Sequence, residues 1–207
     1  MTLTATPTSR LRRGFAALPV AAVDRLCADA VAVTFDVPPE LAAAYAFAPG
    51  QSVTLRRDVG GVEQRRSYSV CAPAGGPLRI GVREVPGGLF SRWLCHELSP
   101  GDLVEVQPPS GRFVAAPTVP ARHLAVAAGS GITPVLSIAA SVLRDPRASV
   151  TLVAANRGAG SVMFLDELAD LKDRHGPRFE LVHVLSREPR DAELLSGRLD
   201  EIGRAHV

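Results

Sequence analysis

Arg66, Tyr68 and Ser69 stand in the stretch Arg65-Arg66-Ser67-Tyr68-Ser69-Val70-Cys71-Ala72-Pro73. Its alternation and closing proline predict an extended segment whose end leaves a sheet. In a strand, Arg66 and Tyr68 share one face at period two, and Ser69 turns to the other. The planar arginine fork matches phosphate, a tyrosine ring packs against a flat ring, and a serine hydroxyl can meet a ring nitrogen. With Val70 beside them, these types suit a ligand with a diphosphate at one end and a flat, hydrogen-bonding ring at the other. The same letters also describe an ordinary strand with a surface arginine, so further anchors must decide.

One such anchor is Gly87-Gly88-Leu89-Phe90-Ser91. Leu89, Trp93, Leu94 and Leu98 fall on one helical face, which predicts a helix over 89–98 opening at the two glycines. A helix start presents free backbone N–H groups and the positive end of the dipole, a seat for an anion, to which Ser91 adds a hydroxyl. Without Arg66 opposite, the same element reads as a glycine-capped helix plugging a barrel end. A third group is Gly129-Ser130-Gly131-Ile132-Thr133-Pro134. Gly129 and Gly131 permit a tight turn and close approach of a pyrophosphate to backbone N–H groups. Thr133 fits a helix N-cap and Pro134 the first helical position.

The elements that must carry these groups follow from period and punctuation. From Phe15 to Pro109 the chain reads as short strands: Val20 to Val37 ending at Pro38-Pro39, Ser52 to Leu55, a hairpin turn at Asp58 to Gly61, Arg65 to Val70, Leu78 to Arg83, and Asp102 to Gln107. Such spacing implies a small antiparallel barrel. The rhythm stops in residues 111–122, and the domain boundary is placed near Pro117. Beyond it come an apolar strand (His123 to Ala128), a helix through Val135, Ile138, Val142 and Leu143, a strand (Val150 to Ala155), a helix (Ser161 to Arg174) with Phe164, Leu168 and Leu171 on one face, and a strand (Phe179 to Leu185). This order implies a parallel βαβαβ unit, which binds nucleotide at the carboxyl ends of its strands.

Composition narrows the classes. The 207 residues, 46% hydrophobic and 21% charged, suit a globular protein, and a net charge of +2 gives no argument for nucleic acid or membrane as a partner. No apolar run approaches a membrane span, and Met1 to Ser9 reads as a loose polar tail rather than a signal peptide. The three widely spaced cysteines, Cys27, Cys71 and Cys95, form neither a metal pattern nor a disulfide framework, which points to the cytoplasm. A cysteine-ligated iron–sulfur cluster needs four thiolates, so the chain cannot supply one alone.

Arg66-Ser67-Tyr68-Ser69, Gly87-Gly88-Leu89-Phe90-Ser91 and Gly129-Ser130-Gly131-Ile132-Thr133-Pro134, in this order and separation, resemble the ferredoxin–NADP reductase superfamily over roughly residues 15–200. Asn156-Arg157, Met163-Phe164, Leu171-Lys172-Asp173, Leu185-Ser186-Arg187-Glu188 and Gly197-Arg198-Leu199-Asp200 resemble more narrowly the reductase components of multicomponent oxygenases, the phenylacetyl-CoA epoxidase type among them. The resemblance implies a two-domain β + α/β protein: a Greek-key flavin barrel over 15–116, then an incomplete doubly wound parallel nucleotide-binding domain over 121–207. It implies that Arg66, Tyr68, Ser69, Val70, Gly87, Gly88, Leu89 and Ser91 hold FAD, and that Gly129, Gly131, Thr133, Pro134, Arg157, Ser186 and Arg187 hold NADPH. Hydride would pass from the nicotinamide to the flavin near Tyr68 and Ser69, with Thr133 lining the approach. Electrons would go on to a [2Fe-2S] centre in a further domain or a ferredoxin partner, and so to an oxygenase of the kind used in phenylacetate catabolism. The residues alone accept FAD or FMN.

NADP is favoured over NAD because no acidic residue stands ~20 residues past the glycines to hold ribose hydroxyls. Asn156-Arg157 and Ser186-Arg187 stand at the strand ends instead, where two guanidiniums welcome a 2′-phosphate. The family continues with more strands and a Cys-Gly-x-x-Pro-like segment, so the sequence reads as a piece of a longer reductase. One edge of the strand at 123–128 is then expected to lie bare. The competing expectation is a non-catalytic electron-relay protein or an inactive fragment; a barrel without cofactor is a more distant third.

Overall fold

The computed structural model describes residues 14–115, 121–188 and 196–197. The expected boundary at Pro117, the tail Met1 to Ser9 and the match at Arg198-Leu199-Asp200 lie outside the described residues. The first half is an antiparallel sheet of six strands, β1 (Ala16–Cys27), β2 (Ala30–Phe35), β3 (Ser52–Val59), β4 (Val62–Ser69), β5 (Leu78–Arg83) and β6 (Leu103–Val106), in the order β4-β3-β6-β1-β2-β5. An antiparallel bridge between Val70 and Ile80 joins the two ends of that order and closes the barrel. Closure removes the unpaired edges that an open sheet would expose. Leu18, Val33, Val53, Leu55, Ile80 and Val106 alternate inward and fill the interior.

The hairpin between β3 and β4 turns on Gly60-Gly61 and fixes the pairing Leu55↔Arg66 and Val53↔Tyr68. The span expected as one strand from Val20 to Val37 is two, β1 and β2, joined at Ala28-Asp29. One end of the barrel is plugged by α1 (Leu89–His96), whose Phe90, Leu94 and Cys95 are buried, as is Leu98 just beyond it. Of the expected face, Leu94 and Leu98 are buried and Trp93 packs against the core, but Leu89 is 65% exposed and Phe90 enters the core in its place.

The second half is a parallel sheet of β7 (Arg122–Ala128), β8 (Ser149–Asn156) and β9 (Phe179–Leu185) in the order β7-β8-β9, connected by α2 (Ile132–Val142) and α3 (Leu165–His175). Its core is built from Ile132, Leu136, Val150, Leu152, Phe164, Leu168 and Phe179. β8 is paired on both sides, and β7 pairs only with β8 among the described residues, with Leu124 and Val126 exposed. The expected helix at Ser161 starts later: a 3-10 turn over Ala159–Ser161 precedes it, and Phe164 takes the N-cap of α3 at φ +60. No helix among the described residues is long and apolar enough to cross a membrane.

The two halves share packing. Ala30, Ala32 and Cys71 of the barrel belong to the second core, and small side chains there let the barrel wall approach α2 closely. β5 supplies part of the polar seam, because Arg79, Gly81 and Arg83 alternate onto one face. Arg79 pairs with Glu167 at 3.1 Å and Asp24 at 3.4 Å, while Arg83 donates from Nη2 to the Ser161 carbonyl.

Candidate functional site

β4 is the strand with the least apolar content in the barrel, and it lies mostly open on the surface. Arg66 is exposed; its Nη1 donates to the neighbouring Arg65 carbonyl at 2.7 Å, and no carboxylate pairs with it among the described residues. Its charge is therefore available to an anion. Tyr68 is half-buried on the same strand face, with its ring centroid 6.3 Å from that of Phe90. Phe90 is the second residue of α1, so this contact brings β4 and the start of α1 together. Burial pushes the Tyr68 phenol up to about 12, against the pull of nearby Arg66. The group stays a neutral donor at physiological pH.

The α1 start offers the backbone N–H groups of Leu89 and Phe90, as a helix beginning at Gly88 must. Ser91 is a correction. Its hydroxyl is 6% exposed, accepts from the Val85 N–H at 3.0 Å and donates to the Gly88 carbonyl at 3.2 Å. It shapes the loop that enters α1 and has no free proton for a ligand. Val70 is fully buried in the barrel core, so it backs the site rather than facing it.

At the carboxyl ends of the parallel strands a groove of ≈ 510 Å³ is lined by Gly129, Ser130, Asn156, Arg157, Ser186 and Arg83, among others. A 3-10 turn over Gly129–Gly131 forms its near wall, with Gly129 at φ +53, a conformation in which a Cβ is strained. The expected capping is corrected: Gly131 takes the N-cap of α2, and Thr133 lies in the first turn with Pro134 after it. Pro134 still costs nothing, since the first four helical N–H groups have no partner within the helix. Thr133 is 2% exposed and donates from Oγ1 to the Ser130 carbonyl at 2.9 Å, holding the glycine turn closed from inside.

Arg157 and Ser186 line the groove, and a backbone bond from the Arg187 N–H to the Arg157 carbonyl at 2.8 Å sets the two arginine loops side by side. Asn156 carries a buried Oδ1 without a hydrogen-bond partner among the described residues. An orphaned acceptor beside two arginines and a hydroxyl is a donor and acceptor set that fits a phosphorylated sugar. Glu188 accepts from the Ala159 N–H at 3.1 Å, which ties its carboxylate to the protein backbone.

Sequence reasoning missed Arg83. It ends β5, its Nη1 lies 3.4 Å from where a Gly129 Cβ would be, and it joins the barrel to the glycine-turn side of the groove. The only sequence signal is the period-two spacing of Arg79, Gly81 and Arg83. Arg66, Tyr68 and the α1 start form one group. Gly129, Arg157 and Ser186 form another, and β5 is the wall between them. Thr133 meets that wall, where a Cβ on Gly81 would stand 2.8 Å from its Oγ1.

The family model described as "Oxidoreductase FAD-binding domain" matches residues 17–114, and "Oxidoreductase NAD-binding domain" matches residues 125–206. The chain is 43% identical over 190 residues to a component of the 1,2-phenylacetyl-CoA epoxidase of Escherichia coli, covering 90% of this chain and 53% of that protein. It is 37% identical over 171 residues to the ferredoxin reductase component of 3-ketosteroid-9-alpha-monooxygenase from Rhodococcus rhodochrous, covering 81% and 48%. Among solved structures, phthalate dioxygenase reductase, described as transferring electrons from pyridine nucleotides to [2Fe-2S], superposes with a TM-score of 0.72 at 26% identity, covering 87% and 55%. The chain thus spans about half the length of the curated relatives it matches.

Proposed function

This chain belongs to the FAD- and NAD-binding oxidoreductases of the ferredoxin–NADP reductase type, and we propose on that premise that it is the flavin and nicotinamide portion of an NADPH-dependent oxygenase reductase. The flavin unit covers residues 15–116 and the nucleotide unit 121–207. The observation that carries the reading is the Tyr68–Phe90 contact, which brings the strand of Arg66, without a carboxylate partner among the described residues, to the open start of α1.

Arg66 and the Leu89 and Phe90 N–H groups hold the diphosphate of FAD, Tyr68 supports the flavin ring with its face, and Ser69 meets the ring edge. Gly87 and Gly88 keep the entrance narrow. Gly129 and Gly131 let a pyrophosphate approach the backbone beside Arg83, while Thr133 and Pro134 fix where α2 begins relative to the nicotinamide. Arg157, Ser186 and Arg187 bind a 2′-phosphate, which favours NADPH over NADH. The cofactors, when bound, supply two-electron reduction and its division into single electrons. The chain's part is to hold the two rings within reach and keep water from the contact.

Electrons leave to an iron–sulfur centre on a further domain or a ferredoxin, in the service of an oxygenase acting on an aromatic acyl-CoA in the cytoplasm. The test is spectroscopic. The purified chain should be yellow, or become so with FAD, and should bleach under anaerobic NADPH faster than under NADH. A chain that cannot be loaded with FAD refutes the proposal. One that loads but does not bleach with either nucleotide acts as an electron relay instead.

A further inference from the structure

Ser137 and Ser141 lie on α2 with 0% and 2% exposure, in a position where a helix ordinarily buries apolar side chains. Serine is also a weak helix former, because its hydroxyl competes for backbone groups. The partners of these hydroxyls lie outside the parallel-sheet half. Ser137 donates from Oγ to the Ala72 carbonyl at 2.6 Å, and the Ala74 N–H donates to Ser141 Oγ at 2.9 Å. Ser141 Oγ donates in turn to the Ser137 carbonyl at 2.6 Å, and Arg144 Nη1 reaches the Ala74 carbonyl at 2.7 Å. Both polar groups of Ala74 and the carbonyl of Ala72 are thus tied to α2 and the turn that follows it.

The loop so held follows directly on β4. Ala72 is three residues past Ser69, and Ser137 is one helical turn past Thr133. The path from the Arg66–Ser69 strand to the glycine turn therefore runs through loop 71–74, two hydroxyl bonds and one turn of α2. Apolar packing such as that of Ala30, Ala32 and Cys71 attracts but does not set register, since small smooth faces can slide. A 2.6 Å hydrogen bond such as that from Ser137 to Ala72 is directional, and a buried carbonyl deprived of it is left unsatisfied.

We propose that Ser137 and Ser141 are positioning residues that fix how far the start of α2, with Thr133 and the Gly129 turn, stands from Tyr68 and Ser69. They touch neither cofactor. Their effect on the reaction rests on the flavin and nicotinamide reading above; their effect on domain register does not.

Two measurements on the full chain test this. With FAD bound, Ser137→Ala should slow anaerobic bleaching at saturating NADPH by about 10- to 100-fold, the penalty for a misplacement of about 1 Å. Ser141→Ala, which keeps the Ala72 bond, should slow it less. The long-wavelength charge-transfer absorbance of nicotinamide against flavin should weaken in the same order. FAD retention, the NADPH concentration at half-saturation and bleaching by dithionite should not change. Normal bleaching with a normal charge-transfer band overturns the proposal, as does a slow rate that merely tracks lost FAD.

The second measurement needs no cofactor. Amide hydrogen exchange should quicken together in residues 71–76 and 129–134 of either variant while β8 is unaffected. Should the parent chain refuse FAD, the flavin reading fails by itself, and this measurement still decides. Unchanged exchange in both segments overturns the positioning role.

Discussion

Gly81 faces the ring of Phe164 so closely that a Cβ on Gly81 would stand 2.7 Å from Cζ. Phe164 is 1% exposed and is the one non-glycine residue with positive φ among those described. A left-handed residue of this kind costs about 1–3 kcal/mol and persists only where its surroundings hold it. Here the ring is clamped between β5 and the second core.

Gly81→Ala should destabilise the chain by about 1–3 kcal/mol through overpacking. Phe164→Leu, which shortens the group in the way, should make that substitution less costly. In a urea-unfolding cycle the double variant should lose less than the sum of the two single losses. Strict additivity would place the strain elsewhere.

Removing the Arg66 guanidinium should weaken FAD retention most. A hydrogen bond to a charged group is worth about 1.5–3 kcal/mol, so Arg66→Ala should lower FAD affinity by about 10- to 100-fold. Arg66→Lys should recover only part, because an ammonium lacks the planar fork. Equilibrium titration of the apoprotein with FAD, followed by flavin fluorescence, measures both.

Arg187→Ala should cost NADPH about 10- to 100-fold in the concentration needed for half-maximal bleaching and leave NADH nearly unchanged. Arg157→Ala should act in the same direction. Parallel losses with both nucleotides would assign these arginines to the shared pyrophosphate rather than the 2′-phosphate.

His175 gives a pH test of the second half. Burial first, then Arg178 and Arg174, holds its pKa below the ordinary 6.5. Its Nδ1 accepts from Arg178 Nη2 at 3.0 Å, and Arg178 Nη1 donates to the carbonyls of Leu143, Asp145 and Ala148. The folded value is depressed, so the unfolded chain binds the proton more readily. The contribution is complete above the ordinary value of 6.5 and is lost as pH falls through the lowered one. Thermal melts should show stability falling as the pH drops below 6.5, by an amount that shrinks in His175→Gln.

Much of this was legible from the residues. The strands Leu78–Arg83 and Phe179–Leu185 coincide with their expected bounds, because turns of glycine and proline bracket apolar alternation. Legibility ended where tertiary contact overrides local pattern. Leu89 fits a helical face as well as Phe90 does, and only the barrel mouth decides which enters. Ser91 and Thr133 look like ligand hydroxyls by type, yet each closes its own turn. Arg83 gave no motif, since its partners Ser161 and Gly129 are distant in sequence and meet it only after the halves dock.

The alternation of Arg79, Gly81 and Arg83 makes one six-residue strand serve two structures at once, as a stave of the barrel and as the bed of the nucleotide half. A joint of this construction leaves no room for a side chain at Gly81. Grafting a different nucleotide half onto this barrel would therefore require matching these side chains of β5 before any ligand-binding loop is redesigned.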